Sequence, residues 1–288
     1  MIKKLFPLVF IMVYWCIPAR LFPQSGTDSL IAIANSQAHD SVRINAMLDI
    51  CWALKASNPE LALKYGEKAL NMSRISSDKL KEATALKNIA TIHLFQSNYP
   101  KAESYFAAAI SINNSINNPK GLSGCYNNLG LVKELKGEFD LAMEYYFKSL
   151  AINQKIDNKS GVASCQTNIG NIFQKQGNYR KSIEYYIQAL KTKEEINDKT
   201  GIADAYNNIG ALYEKQKAFE QANKNYQKAL ILYIETDEKR KSGMVFHNLG
   251  FIENLQKRYE SAMDYFEKAL ELRREVGDKQ GVATTLMN

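Results

Sequence analysis

Five side-chain amides, Asn88, Asn128, Asn168, Asn208 and Asn248, recur at intervals of 40 residues along a chain of 288. A primary amide does not titrate near neutral pH. It offers a hydrogen-bond donor and an acceptor, which suits it to holding a backbone rather than to breaking a bond. The residue types that break bonds are sparse or scattered. The histidines are His39, His93 and His247, and none stands at metal-ligand spacing from another histidine or from a cysteine pair. No glycine-rich phosphate loop, Gly-x-Ser-x-Gly elbow or HExxH motif is present. The 30 Asp and Glu interleave with 37 Lys and Arg. On helices that density reads as solvated i,i+4 pairs rather than as an acid/base dyad. We therefore expect no enzymatic activity within these residues, no metal and no cofactor.

The amides belong to a longer periodic unit. Each sits in an Asn-Leu/Ile-Gly triplet: Asn128-Leu129-Gly130, Asn168-Ile169-Gly170, Asn208-Ile209-Gly210 and Asn248-Leu249-Gly250, with Asn88-Ile89-Ala90 one period earlier. At fixed offsets follow a small residue (Ala102, Ala142, Ser182, Ala222, Ala262), an aromatic (Phe106, Tyr146, Tyr186, Tyr226, Phe266) and a small-apolar pair such as Ser149-Leu150. A weaker first copy carries Cys51-Trp52, Ala62, Gly66 and Ala69-Leu70. Asn118, Asn158, Asp198 and Asp278 suit helix N-caps, and Pro119 suits the first helical position. The spacing predicts two antiparallel helices per unit, over 119–136 and 139–156 in one copy. Gly137 and Gly177 fit left-handed stops that Lys217 and Lys257 replace in later copies. A mid-helix glycine costs about 1 kcal/mol against alanine, so its recurrence at Gly130 predicts a closely packed partner helix. The small residues are expected to face that contact, and the aromatics to fill the gap between one hairpin and the next. In Tyr145-Tyr146 and Tyr185-Tyr186 one ring of each pair takes this packing position.

The order Tyr126, Leu129-Gly130, Ala142, Tyr146, Ser149 resembles the tetratricopeptide repeat family, over about residues 43 to 288. The resemblance implies an all-α fold, a right-handed superhelix (α-solenoid) of antiparallel helix hairpins. Its repeats lie near 43–82, 83–122, 123–162, 163–202, 203–242 and 243–282, with a partial seventh at 283–288. The family's late first-helix tyrosine survives as Tyr213, with Lys133, Phe173 and Glu253 elsewhere, and its proline near the end of the second helix is missing. A longer second helix explains a period of 40. That unit is similar to the repeats of Pins-type polarity adaptors, kinesin light chains and bacterial peptide-pheromone receptors.

In such a fold the first helices form the inner wall. Taking Ser123 as the first position, positions 2, 5, 6, 9 and 12 share one stripe. The stripe carries Gly124, Asn127, Asn128, Leu131 and Glu134, then Ser164, Thr167, Asn168, Asn171 and Gln174, then Asp204, Asn207, Asn208, Ala211 and Glu214. It is polar and amide-rich. Stacked helices lie about 10 Å apart and an extended peptide advances about 3.3 Å per residue, so successive rungs could meet every third residue. The resemblance implies that the ladder asparagines, with Asn127, Asn171 and Asn207 beside them, hold a peptide backbone. The alternative is that each amide ties its helix to the neighbouring one. The expected partner is a protein or peptide.

Lys3 and Lys4 precede an apolar run from Leu5 to Ile17, followed by Pro18, Ala19 and Gln24-Ser25-Gly26. That is the layout of a signal peptide over residues 1–25, and about thirteen apolar residues are short for a membrane span. The expected location is exported, periplasmic or otherwise extracytoplasmic, with residues 26–42 as a lead-in segment. Without the leader the formal charge falls from +7 to +4, since Lys3, Lys4 and Arg20 are lost and no acid. No concentrated basic face remains, which excludes nucleic acid as the expected partner. Membrane contact is expected only through the leader or a missing C-terminal segment. Cys125 and Cys165 occupy one position in adjacent repeats, too far apart for a disulfide, and read as buried packing residues. Thr27-Asp28-Ser29-Leu30, His39 to Asn45 and Ser57 to Leu63 resemble exported bacterial signalling proteins, in which such repeats precede a membrane helix and an output domain. Asn288 falls at the ladder position of a seventh repeat, which predicts a fragment. That prediction carries the alternative function: the extracytoplasmic sensor region of a histidine kinase, nucleotide cyclase or transcriptional regulator.

Overall fold

A computed structural model of the chain describes residues 24–288. The expected signal peptide, but for Gln24 and Ser25, and with it Cys16, lies outside the described residues. Two shorter helices open the array, α1 (Gln24–Ala34) and α2 (Asp40–Leu54). Eleven helices of 17 residues, each about 26 Å long, then run from α3 (Pro59–Ile75) and α4 (Lys79–Phe95) to α13 (Tyr259–Glu275). Between them lie α5 (Tyr99–Ser115), α6 (Pro119–Leu135), α7 (Phe139–Lys155), α8 (Lys159–Lys175) and α9 (Tyr179–Glu195). After these come α10 (Lys199–Lys215), α11 (Phe219–Glu235) and α12 (Lys239–Leu255), and α14 (Lys279–Leu286) opens a further hairpin. Both helices expected at 119–136 and 139–156 are present, each one residue shorter. The first helix of each unit starts three or four residues ahead of the frame counted from Ser123, at Asp40, Lys79, Pro119 and Lys159. The lead-in segment holds α1, whose Leu30, Ile31 and Ala34 join the core around Ile44 and Met47.

Local chemistry ends each helix abruptly. Asn118, Asn158, Asp198 and Asp278 accept hydrogen bonds from the backbone N–H of Gly121, Gly161, Gly201 and Gly281 at 2.9 to 3.3 Å. One orphan donor at each of these four helix starts is thereby satisfied, whereas α7, α11, α12 and α13 begin without a side-chain cap. At the other end a left-handed residue reverses the chain: Gly137 at φ 77° and Gly177 at φ 76°, then Lys217 at 58° and Lys257 at 62°. Glu138 N–H returns to Lys133 O at 2.9 Å and closes that turn.

Within each hairpin the mid-helix glycine is covered by the aromatic itself. A Cβ at Gly130 would stand 2.7 Å from the Tyr146 ring, and Gly170, Gly210 and Gly250 stand in the same relation to Tyr186, Tyr226 and Phe266. The small residue is close too: at Gly250 a Cβ would lie 3.2 Å from Ala262 O. The expectation that the aromatics fill the gap between hairpins holds only in part. Tyr146 does reach Ile169 and Ile172 of the next first helix, but its ring lies against Gly130 of its own hairpin. The first helices of consecutive hairpins also touch, α2 with α4, α4 with α6 and α6 with α8. Among the described residues no contact of that extent joins consecutive second helices, so the first helices take the inner side of the curve.

Candidate peptide-binding groove

The wall of first helices presents its amides in three different states. Asn88 is buried and donates to Leu48 O of the preceding first helix at 3.4 Å. Asn168 donates to Asn127 Oδ1 at 3.0 Å, tying α8 to α6, and Asn171 Oδ1 lies 2.6 Å from the Tyr186 hydroxyl. Asn248 lies beside the Tyr226 hydroxyl. By contrast, Asn128 and Asn208 are half-buried and make no side-chain hydrogen bond among the described residues. Asn207 Oδ1 is buried with no donor among the described residues.

The last position of the stripe serves the interior. Tyr146 donates to Glu134 at 2.6 Å, Tyr226 to Glu214 at 2.6 Å, and the Tyr186 hydroxyl lies 2.9 Å from Gln174 Oε1. Where the aromatic is Phe106, the matching residue is Leu94, and both belong to one apolar cluster. Burial first, and then the facing carboxylate, push the Tyr146 and Tyr226 phenols well above their usual ionisation range. Burial, opposed by a hydrogen bond to Ser182 and aided by Glu134, pushes Tyr186 up to about 12. Glu134 also pairs with Lys175 of α8 at 2.8 Å and so links two steps of the wall.

A second periodic feature escaped the sequence reading. Ser73, Asn113, Asn153, Lys193, Tyr233 and Arg273 form a column, one per second helix, packed under the start of the following first helix. Asn113 accepts from Asn118 at 2.7 Å and Asn153 from Asn158 at 2.7 Å. Glycine is required opposite them: a Cβ at Gly121 or Gly161 would lie 2.2 or 2.4 Å from the asparagine oxygen. The signal that could have found this is Asn/Asp-x-x-Gly at 118–121, 158–161, 198–201 and 278–281. In the fourth to sixth hairpins the column changes chemistry. The hydroxyl of Tyr233 donates to Asp204 at 2.7 Å, and Lys241 reaches the same oxygen at 2.8 Å. Burial, aided by Lys241 and opposed by Asp204 and Asp198, holds the half-buried Lys193 ammonium below its ordinary lysine range. These residues line a groove of about 660 Å³ with Asn207 and Asn208.

The N-terminal end of the wall differs. There a groove of about 680 Å³ is lined by Trp52, Leu80, Thr84 and Asn88. Trp52 is 48% exposed, with the Lys55 ammonium 3.9 Å from its ring centroid. Cys51, Cys125 and Cys165 are free and buried, and burial raises the Cys125 thiol to about 11. Among the described residues no group of three or more His, Cys, Asp or Glu is placed to hold a metal ion, and no helix is long and apolar enough to cross a membrane.

With hairpins, wall and turns in view, the class is a helical repeat solenoid. A family model described as tetratricopeptide repeat matches residues 52–115, 122–195, 162–235 and 201–275, and the chain belongs to that family. No curated protein sequence matches it. Among solved structures it is similar to BtubC (BKLC) from P. vanneervenii, with a TM-score of 0.67, 21% identity, and 75% of this chain and 91% of that one covered. A STAND signal-transduction ATPase with a tetratricopeptide repeat sensor from Pyrococcus horikoshii gives a TM-score of 0.68 at 19% identity. The alignment covers 92% of this chain and 43% of that one. NprR, solved with its cognate peptide NprX, gives 0.59 at 14% identity, covering 92% and 77%. At these identities the likeness is one of fold.

Proposed function

We propose that this chain is a non-catalytic scaffold whose inner wall binds an extended peptide or an extended segment of a protein. The observation that carries the reading is the state of Asn128 and Asn208. Both are half-buried on the inner side, and neither amide is engaged within the fold. An amide left open beside a groove offers a donor and an acceptor to a passing backbone. The same fold holding a peptide in NprR supports the reading. Within the ladder the roles divide. Asn88 and Asn168 join helices, whereas Asn128 and Asn208, with Asn207 at the groove, meet the ligand. Asn127 and Asn171 are engaged inside the wall and contribute by holding its shape, and Asn248 lies beside the Tyr226 hydroxyl.

The test compares Asn128→Ala/Asn208→Ala with Asn168→Ala in the full chain. Partner capture from the extracytoplasmic fraction is read beside the urea unfolding midpoint. The first variant is expected to lose the captured partner at an unchanged midpoint, and the second to lower the midpoint. Capture that survives the double substitution removes the binding role. We also propose that the chain is exported through residues 1–25. Expression with its own leader should yield a shortened, extracytoplasmic product, and an uncleaved cytoplasmic chain would refute this. The sensor reading draws support from the STAND protein's repeat sensor, and a membrane helix in downstream coding sequence would favour it over a free-standing scaffold.

A further inference from the structure

The groove beside Asn207 is where the array stops repeating itself. One and two periods earlier the column holds Asn153 and Asn113, the stripe opens on Ser164 and Gly124, and Gly161 and Gly121 lie against the column. All are neutral. Here the same positions carry Lys193, Asp204 and Gly201, then Tyr233, Met244 and Lys241, then Arg273.

The charges do not close among themselves. Asp204 is shared by Tyr233 and Lys241. Asp278 caps α14 through Gly281 N–H and lies 3.6 Å from Arg240. Asp198 caps α10 through Gly201 N–H. Lys193 and Arg273 are left without a carboxylate within ion-pair distance among the described residues. Arg273 is 6% exposed; one guanidinium nitrogen donates to Gly281 O and Thr285 Oγ1, while Nε is buried with no acceptor. Asn207 Oδ1, in the same groove, is buried with no donor. An unsatisfied buried charge or polar atom destabilises the fold, and a ligand of matching chemistry recovers that cost on binding.

Resting on the peptide-binding reading above, we infer that this groove selects an acidic peptide, whose carboxylates meet Lys193 and Arg273 while a backbone N–H meets Asn207. Two cations without a carboxylate partner call for anionic oxygens, and one missing donor calls for an amide N–H. A peptide rich in Asp or Glu supplies both. A lysine-rich peptide would add charge to a site already in cationic excess.

Three fluorescein-labelled, end-blocked dodecapeptides test this, alternating Ala with Glu, Gln or Lys. Alternation puts every polar side chain on one face of an extended strand, so any register reaches both cations. By fluorescence anisotropy at low salt, the Glu peptide is expected to bind the full chain about tenfold tighter than the Gln peptide, as charge-assisted hydrogen bonds do. Lys193→Met should erase at least about two thirds of that preference, and Lys120→Met, on the exposed surface, none of it. Arg273→Met is read only beside its unfolding midpoint, because Arg273 also anchors α14. Equal binding of Glu and Gln peptides, or equal losses from Lys193→Met and Lys120→Met, overturns the inference. So does displacement by millimolar inorganic phosphate where acetate has no effect, which would mark a phosphate site. If all three peptides bind alike and Asn128→Ala/Asn208→Ala abolishes it, the inference falls and the scaffold reading stands. If none binds and the full chain captures no partner, both fall.

Discussion

Tyr146 and Glu134, twelve residues apart on the two helices of one hairpin, meet through a 2.6 Å hydrogen bond in which the phenol donates to the carboxylate. The pair repeats as Tyr226 with Glu214 and as Tyr186 with Gln174, and is replaced as a unit by Phe106 with Leu94. In these four hairpins hydroxyl and acceptor come and go together, since either alone would leave a buried polar group unmatched, whereas Phe266 faces the half-buried Asn254 in the last one.

Tyr146→Phe should therefore destabilise the chain by about 1–3 kcal/mol, because Glu134 is 7% exposed and retains Lys175 alone. Adding Glu134→Leu copies the Leu94 and Phe106 arrangement and should recover most of the loss. Urea unfolding of the four proteins in a double-mutant cycle measures the coupling. Strictly additive effects would contradict the pairing.

Two glycines six residues apart should respond in opposite directions. A methyl at Gly130 would sit 2.7 Å from the Tyr146 ring, whereas nothing lies within 4 Å of one at Gly124. Gly130→Ala is expected to cost about 1–3 kcal/mol by overpacking. Gly124→Ala should gain about 0.5–1 kcal/mol from the stiffer unfolded chain. Calorimetric midpoints moving the same way would refute this account of the recurrent spacing.

Burial, with Arg273 nearby, holds His247 below the ordinary histidine range, and burial with Lys101 does the same for His93. The unfolded chain thus takes up protons that the folded chain refuses. Stability is complete above about pH 6.5 and falls as pH drops below that value. His247→Asn, which installs the residue found at Asn127 and Asn207, should flatten the fall between pH 7.5 and 5.5. Parallel melting-temperature profiles for variant and wild type would show that His247 is not the group responsible.

The 40-residue spacing of Asn-Leu-Gly made the hairpins legible, because glycine, alanine and the aromatic must coincide wherever two helices approach closely. The caps were legible at Asn118 and Asp198 for the same local reason. The ladder was harder to read. Asn88 and Asn128 are alike in sequence, yet one is spent on Leu48 O and the other is open, a difference set by the neighbouring helix rather than by the triplet. The column from Ser73 to Arg273 was hidden because its members share a position and not a chemistry. Periodicity in kind finds packing; the departures from it mark the groove.

The column also gives the array a genetic grammar. Loss of residues 119–158 would set Asn113 and Asn118 against Gly161, reproducing a junction already present, so such a chain should assemble one hairpin shorter. Loss of residues 199–238 would bring Lys193 against Lys241 with Asp204 gone from between them. Recombination can therefore lengthen or shorten the early half of this solenoid with little penalty, while the half that carries Lys193, Asp204 and Lys241 is inherited as one indivisible block.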